Sequence, residues 1–350
     1  MTSDTNSTPH INVSDRREIP WLNVLKLICA LMIVHIHVDA PYREYILPVC
    51  DIAVPVFFMI SGYFLTDSRG MFDLSRIRRS IWKILKIILF AQLLYILVCL
   101  YSGYRHGKDP ASILLNEQNW LEMVTLGSWP SEPLWYLTAF LEALAVILLI
   151  SRFRPMEKMK DLAILITVTL IAQVLICYLI IGPEVTDENR YLAHTFLWPA
   201  LPCIAIGSII RRKGTTPDSK FLAAVIIILI PVIYLIDYNS EITGGRMHIP
   251  SQTAAVAIAS IVFMAFLKMR REPPIVWHIA SLGRKHSRNI YIVHSALALV
   301  ILNALPWLPE AFIAGTTFVV ALMISAGWNM TQRVKSRLFF WRRGARTSAG

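Results

Sequence analysis

The sequence has few charged residues for its length. Of its 350 residues, 16% are charged, whereas soluble proteins have about a quarter, and the mean hydropathy is +0.54. Too few charges are present to cover a soluble surface. The apolar residues run continuously and do not alternate with polar ones, which argues against a transmembrane β-barrel. Residues 1–20 have no apolar core, so we expect no cleavable signal peptide.

Cysteines are also scarce, and their spacing is not that of metal ligands. Cys29, Cys50, Cys99, Cys177 and Cys203 lie in separate apolar runs. Cysteines placed in this way are typical of small buried hydrophobic residues. We therefore expect neither a disulfide framework nor a bound metal.

Long apolar runs dominate what the sequence does contain. They are 17 to 22 residues long, enough to cross about 30 Å of hydrocarbon as helices. We predict an all-α, polytopic membrane helix bundle of about ten transmembrane helices. The predicted spans are 20–38, 46–66, 81–102, 133–152, 162–181, 191–211, 221–237, 250–268, 286–304 and 307–328.

The basic residues indicate an orientation. If the chain starts in the cytoplasm, most of its 34 Lys and Arg residues lie in cytoplasmic segments and helix ends. The predicted external loops hold only Arg43, Arg105, Lys108, Arg190 and Arg246. Both termini are thus expected inside, with a polar tail at 1–19, a membrane domain at 20–328 and a basic tail at 329–350. Because topology accounts for the net charge of +11, we do not expect nucleic acid as a partner.

Three ionisable residues lie inside the first span, where such groups are costly and often functional. Lys26 and His37 are eleven residues apart, which returns a helix to within about 20° of the same face and separates them by about 16 Å. His35 points roughly the opposite way. A cation near the inner side and an imidazole near the outer side of one face suggest a path across the membrane. The alternatives are that Lys26 snorkels to the interface and that His37 is merely hydrated.

The second span places further candidates near these groups. Asp51 is expected at about the depth of His37, where a carboxylate can orient an imidazole during general-base catalysis. The alternative is an ordinary interfacial Asp51. Ser61, followed by Gly62, marks either a ligand contact or close helix packing.

Basic residues are densest at the start of the third span, over residues 76–86. Arg76, Arg79 and Lys83 at a membrane mouth suit a phosphate-bearing ligand. On the fourth span, Glu142 is either a site residue or the partner of a buried cation. The ninth span carries Ser287, Tyr291 and His294 on one helical face, so His294 is a second imidazole in the membrane.

Taken in order, these features resemble the acyltransferase-3 family of integral membrane acyltransferases. Five stretches carry the resemblance: Lys26 followed by His37, Phe57–Phe64 with Ser61-Gly62, the basic residues of the third span, Leu134–Leu137 with Trp135, and Ser287–His294. The basic pair of the family corresponds either to Arg76 and Arg79 or to Arg79 and Lys83. The chain departs from the family in having Pro55 where many members are acidic, with Asp51 four residues earlier, and Lys26 where Arg is commoner.

The resemblance implies a function. Members transfer an acyl group, usually acetyl, from cytoplasmic acyl-CoA to a hydroxyl of a saccharide or lipid-linked acceptor, which is O-acetylation when the group is acetyl. On this basis His37 is the expected general base with Asp51 as its partner. Lys26, Arg76, Arg79, Lys83 and Ser61 are expected to bind the coenzyme A thioester. Substrate contacts are expected from Glu142, Trp135, Tyr291 and His294.

The expected location is a bacterial cytoplasmic membrane, with the lipid bilayer, acyl-CoA and a glycan acceptor as partners and a homo-oligomer as a further expectation. The alternative function is a saccharide exporter or a proton-coupled transporter, because intramembrane His and Glu residues also suit proton relays.

Overall fold

The computed structural model describes residues 18–38, 40–125, 127–153, 159–176, 196–214 and 248–347, with five isolated positions between them, and these residues are mostly helical. Within these ranges there is no β-strand, only one bridging pair, Thr66 with Phe72, in a turn. The helices are α1 Pro20–His37, α2 Arg43–Cys50, α3 Ala53–Leu65, α4 Leu74–Arg105, α5 Pro110–Leu114, α6 Glu117–Thr125, α7 Trp135–Phe153, α8 Met159–Ile176, α9 Leu201–Lys213, α10 His248–Lys268, α11 Pro274–Ala304 and α12 Glu310–Thr347.

Local sequence signals set several helix ends. Helix α1 has Pro20 at its first position, where proline has no hydrogen bond to lose. Asp73 caps α4 by accepting hydrogen bonds from the backbone N–H groups of Ser75 and Arg76. Helix α9 ends at Lys213, and the following Gly214 has a φ of 62° and donates its N–H to the Ile210 carbonyl.

Among the described residues, five segments are long and apolar enough to cross a membrane: Pro20–His37, Tyr45–Leu65, Leu74–Arg105, Glu132–Phe153 and Glu310–Thr331. A shorter apolar helix covers Thr253–Lys268. The all-helical class and the membrane-spanning character are thus confirmed. The count of about ten spans and the cytoplasmic placement of both termini stay predictions.

The described helices differ from several predicted span boundaries. The second predicted span is two helices, α2 and α3, which meet at Asp51 and Ile52. Helix α11 begins twelve residues before the predicted 286, and α12 continues through the predicted tail to Thr347. The N-terminal tail before Glu18 and most of the predicted span 221–237 lie outside the described residues.

Close helix packing positions the site. Helix α1 packs most extensively against α11, and α3 packs against α9. The α3–α9 contact is close because Gly62 meets the Ile204 backbone and Gly207 meets the Met59 backbone, leaving no room for a Cβ at either glycine. In the α1–α11 contact, Gly283 meets the backbone carbonyl of Asn23 in the same way. Helices α1 and α3 also contact each other directly, and both contribute residues to one hydrophobic core.

Candidate functional site

A cavity of about 680 Å³ opens where α1 and α4 begin and α3 ends. We call it the basic cavity. Its lining includes seven cationic residues, while among the described residues no Asp or Glu lines it. The seven are Lys26, Arg76, Arg79, Lys83, Arg284, Lys285 and Arg288. So many positive charges around one space suit a ligand that carries several negative charges.

The remaining lining of the basic cavity is apolar and aromatic. Phe57, Tyr136, Phe140 and Tyr291 contribute rings, and Ile60, Ile84 and Ile87 contribute aliphatic side chains. The Tyr136 ring lies 5.3 Å from that of Tyr291 and 6.0 Å from that of Phe140, measured between centroids. One space thus combines a group of cations with an apolar region, which fits a ligand with a charged head and an uncharged arm.

Lys26 is held by a chain of hydrogen bonds between α1 and α11. Its Nζ donates to Asn23 Oδ1 at 3.1 Å, and Asn23 Nδ2 donates to Glu18 Oε1 at 2.9 Å. Arg284 Nη1 pairs with Glu18 Oε2 at 2.6 Å. Lys26 Nζ also lies 5.6 Å from the centroid of the Phe64 ring. These contacts hold the Lys26 side chain at the wall of the basic cavity.

The basic residues of α4 are oriented by its first turn. Arg76 Nε pairs with Asp73 Oδ2 at 2.8 Å, and Arg76 Nη1 donates to the Phe64 carbonyl at 3.0 Å. Arg79 donates to the carbonyl and to the hydroxyl of Ser75, each at 3.2 Å. Partial burial by itself would raise the pKa of the Asp73 carboxyl, but hydrogen bonds from Ser75 and Arg76 and the charge of Arg76 outweigh it and lower that pKa.

Two histidines meet beyond the aromatic part of this cavity. The His37 ring, at the end of α1, lies 5.4 Å from the His294 ring on α11. His294 is fully buried; its Nδ1 bonds the Tyr291 carbonyl at 2.6 Å and its Nε2 lies 3.2 Å from Ser295 Oγ. Because a carbonyl only accepts, Nδ1 of His294 carries the proton and Nε2 is an acceptor. His37 is partly exposed. Both ring nitrogens of His294 contact groups of its own helix.

The structure brings some predicted site residues together and leaves others apart. Lys26, Ser61, Arg76, Arg79, Lys83 and Tyr291 line the basic cavity, and His294 contacts His37. The hydroxyl of Ser61 donates to the Phe57 carbonyl at 2.9 Å. Asp51 is exposed at the junction of α2 and α3. The assignments of roles to these residues stay predictions.

Trp135 and Glu142 on α7 line neither this cavity nor the other one described below. The periodicity of α7 gives the reason, since the residues it contributes to the basic cavity are Tyr136, Leu137 and Phe140. Glu142 is two residues from Phe140, about 200° around the helix, and so faces away.

Sequence reasoning missed several residues at this site. From sequence, Arg284, Lys285 and Arg288 of α11 indicate only membrane topology, yet they line the basic cavity. Glu18 was placed in the polar tail but links α1 to Arg284. Arg43 donates from Nε and Nη2 to the Ile36 carbonyl at 3.1 and 2.7 Å, which caps the end of α1 beside His37. A signal for α11 was present, because Arg284, Arg288 and Tyr291 recur at helical spacing.

Comparison with known proteins adds a family. The family model Acyl_transf_3, described as an acyltransferase domain, matches residues 19–328. No curated protein and no solved structure matches the chain. The match spans the helices that line the basic cavity and carry both histidines. The chain therefore belongs to the acyltransferase-3 family and is a multi-pass membrane acyltransferase.

Proposed function

We propose that the protein moves an acyl group, in the first instance acetyl, from acyl-CoA to a hydroxyl of a saccharide or cell-envelope glycan. The observation that carries this proposal is the basic cavity, where seven cations share one space with an apolar region that ends at Tyr291, beside the histidine pair. Acyl-CoA has the same division, with phosphates at one end and an uncharged arm ending in the thioester at the other.

The donor is proposed to bind along the basic cavity from the cytoplasm. Its phosphates pair with Arg76, Arg79 and Lys83 on α4 and with Arg284 and Arg288 on α11. Lys26 stands about 16 Å from His37 along the axis of α1, so the arm runs along α1 toward the histidines. Tyr136 and Tyr291 flank the far part of this path and exclude water from it.

At the histidine pair, His37 is proposed to act as general base. Its imidazole accepts the proton of the acceptor hydroxyl while the hydroxyl oxygen forms a bond to the thioester carbonyl carbon. The carbon–sulfur bond then breaks, the ester departs with the acceptor, and the coenzyme A thiolate takes the proton from the imidazolium. His294 is neutral in this scheme and packs against His37, holding its ring in place.

Membrane vesicles from source cells supplied with [¹⁴C]acetyl-CoA test the proposal. The measurement is ¹⁴C in the glycan fraction, and wild-type vesicles should incorporate label. His37→Ala should lower incorporation by roughly 10²–10⁴-fold, the usual contribution of a general base. His35→Ala is the matched control, because His35 bonds the Leu31 carbonyl of its own helix at 3.0 Å and contacts neither cavity. Equal losses in the two variants would contradict the role of His37.

The same preparation separates the enzyme from the saccharide exporter or proton-coupled transporter. Specific binding of acetyl-CoA to the purified protein supports the enzyme. Proton-driven solute uptake into liposomes, without a thioester and without acetyl-CoA binding, would overturn it in favour of the transporter.

A further inference from the structure

A second cavity, of about 770 Å³, lies toward the other ends of α4 and α11. We call it the polar cavity. It is enclosed by the end of α4, the short helices α5 and α6, residues 129–131 and α11. The donor site does not use it, and its volume is close to that of the basic cavity. Its polar lining consists mainly of Ser102, Asn116, Asn119, Trp129, Ser131 and Ser295.

The chemistry of this lining differs sharply from that of the basic cavity. Seven cations line the basic cavity, whereas the described residues that line the polar cavity include two basic ones, Lys108 and His106. No carboxylate is present among the described residues that line it. Hydroxyl and amide groups can each donate and accept hydrogen bonds, which suits a ligand with many hydroxyls and little charge.

Trp129 supplies an aromatic platform at the wall. Its ring lies 5.7 Å from that of Trp120, whose Nε1 donates to the Leu114 carbonyl at 2.6 Å, so the two indoles support each other. Asn119 is oriented as well, because its Nδ2 donates to the Ile113 carbonyl at 3.0 Å while its side-chain oxygen is an acceptor. A flat apolar ring beside oriented amides matches a sugar, which has an apolar face of C–H groups and a rim of hydroxyls.

A single side chain, that of Ser295, lies between the polar cavity and the histidine pair. Ser295 lines it, and Ser295 Oγ lies 3.2 Å from Nε2 of His294, which packs against His37. Tyr95 lines the same wall and donates from its hydroxyl to the Ile292 carbonyl at 2.9 Å, which ties α4 to α11 at this level. The basic cavity reaches the same pair through Tyr291, whose ring is 5.9 Å from His294. The two cavities thus approach the histidines from opposite ends of the bundle.

We infer that the polar cavity is the acceptor subsite and that it binds a saccharide ring against Trp129, with the reacting hydroxyl directed past Ser295 toward the histidine pair. This inference rests on the proposed function and adds to it where the acceptor lies and which groups recognise it. Donor and acceptor then occupy separate spaces, so acceptor binding can be removed without loss of donor binding.

The test combines the ¹⁴C-incorporation assay with the dissociation constant for acetyl-CoA of each purified variant. Trp129→Ala should lower glycan labelling about tenfold, as expected for removing an aromatic ring that packs against the ligand, and leave acetyl-CoA affinity unchanged within twofold. Asn119→Ala should lower labelling about threefold to tenfold, the range for one hydrogen bond. Trp129→Phe, which keeps a ring, should retain more labelling than Trp129→Ala.

Trp307→Ala is the matched control, since Trp307 is an exposed tryptophan between α11 and α12 that lines neither cavity. It should label glycan as wild type does. If wild type labels glycan and Trp129→Ala and Asn119→Ala label it equally well, the acceptor subsite is overturned, whereas the proposed acyltransferase function stands. Parallel losses of labelling and of acetyl-CoA binding in these variants would overturn the acceptor subsite as well, by showing a structural role. Absence of labelling by the wild type would overturn the proposed function itself.

Discussion

Arg79→Gln tests the proposed donor site most directly, because the neighbouring Arg78 on α4 provides a matched control substitution. Arg79 lines the basic cavity and is held by Ser75 through two hydrogen bonds of 3.2 Å, whereas Arg78, one residue earlier, does not line it. The two substitutions remove the same charge from the same helix. A difference between them therefore reports position within the cavity.

The magnitude follows from the exposure of the guanidinium. A unit charge about 4 Å from another contributes about 4 kcal/mol at an effective dielectric constant of 20, before the loss of hydration is subtracted. The net value of a hydrogen bond to a charged group is about 1.5–3 kcal/mol, or roughly 10–150-fold in affinity. Arg79 is solvent-exposed, so the lower limit applies, and we expect acetyl-CoA to bind about tenfold more weakly to Arg79→Gln.

Equilibrium binding of acetyl-CoA to protein in lipid nanodiscs, at about 0.1 M salt, measures this effect. Arg78→Gln should bind within twofold of wild type. Dephospho-acetyl-CoA, which lacks one phosphate, identifies the contact. If Arg79 binds that phosphate, the loss of binding free energy for Arg79→Gln with the truncated ligand should be smaller than the sum of the two separate losses. An equal loss in Arg78→Gln, or full affinity in a folded Arg79→Gln, would refute the placement of the donor.

Further predictions concern residues that position the site. Arg43→Gln should lower kcat about tenfold and leave the KM for acetyl-CoA unchanged. The reason is that Arg43 hydrogen-bonds the Ile36 carbonyl and so holds the end of α1 that carries His37. A tenfold rise in KM would contradict a positioning role. Gly283→Val should lower the thermal midpoint by several degrees relative to Gly315→Val, since a Cβ meets the Asn23 backbone at the first position and open space at the second; matched midpoints would contradict the close α1–α11 contact. Asp73→Asn keeps a capping oxygen but loses the carboxylate charge at the start of α4 and its pairing with Arg76, so it should destabilise the fold at neutral pH by about 0.3–1 kcal/mol. The pKa of the Asp73 carboxyl is lowered in the fold, so its contribution is present above the ordinary Asp value of about 4 and is lost as pH falls. Thermal unfolding of Asp73→Asn and wild type should thus converge in acid, and a gap that persists there would contradict the assignment.

The sequence supported the membrane class, the helical class and the family, because each depends on local information. Continuous apolar runs report the solvent that surrounds a segment, and the Lys26–His37 spacing reports one face of one helix. Helix boundaries are harder to predict from the sequence. The break between α2 and α3 and the early start of α11 depend on packing. From sequence, Arg284, Lys285 and Arg288 within α11 indicate only the orientation of the chain.

Only the tertiary structure shows which side chains come together at the site. Lys26, Arg76 and Arg284 share one cavity only because α1, α4 and α11 pack together, and the His37–His294 contact joins positions far apart in the chain. Composition cannot distinguish a cation that marks the cytoplasmic side from one that faces a ligand, since both lie at helix ends. The sequence by itself thus determined that this is a helical membrane protein, because long apolar runs are a property of local composition, and it indicated the acyltransferase family, because the motifs of that family are also local. Only the packed helices decided which charges meet and that two cavities of different chemistry flank the histidines, because that arrangement is a property of contacts between distant segments.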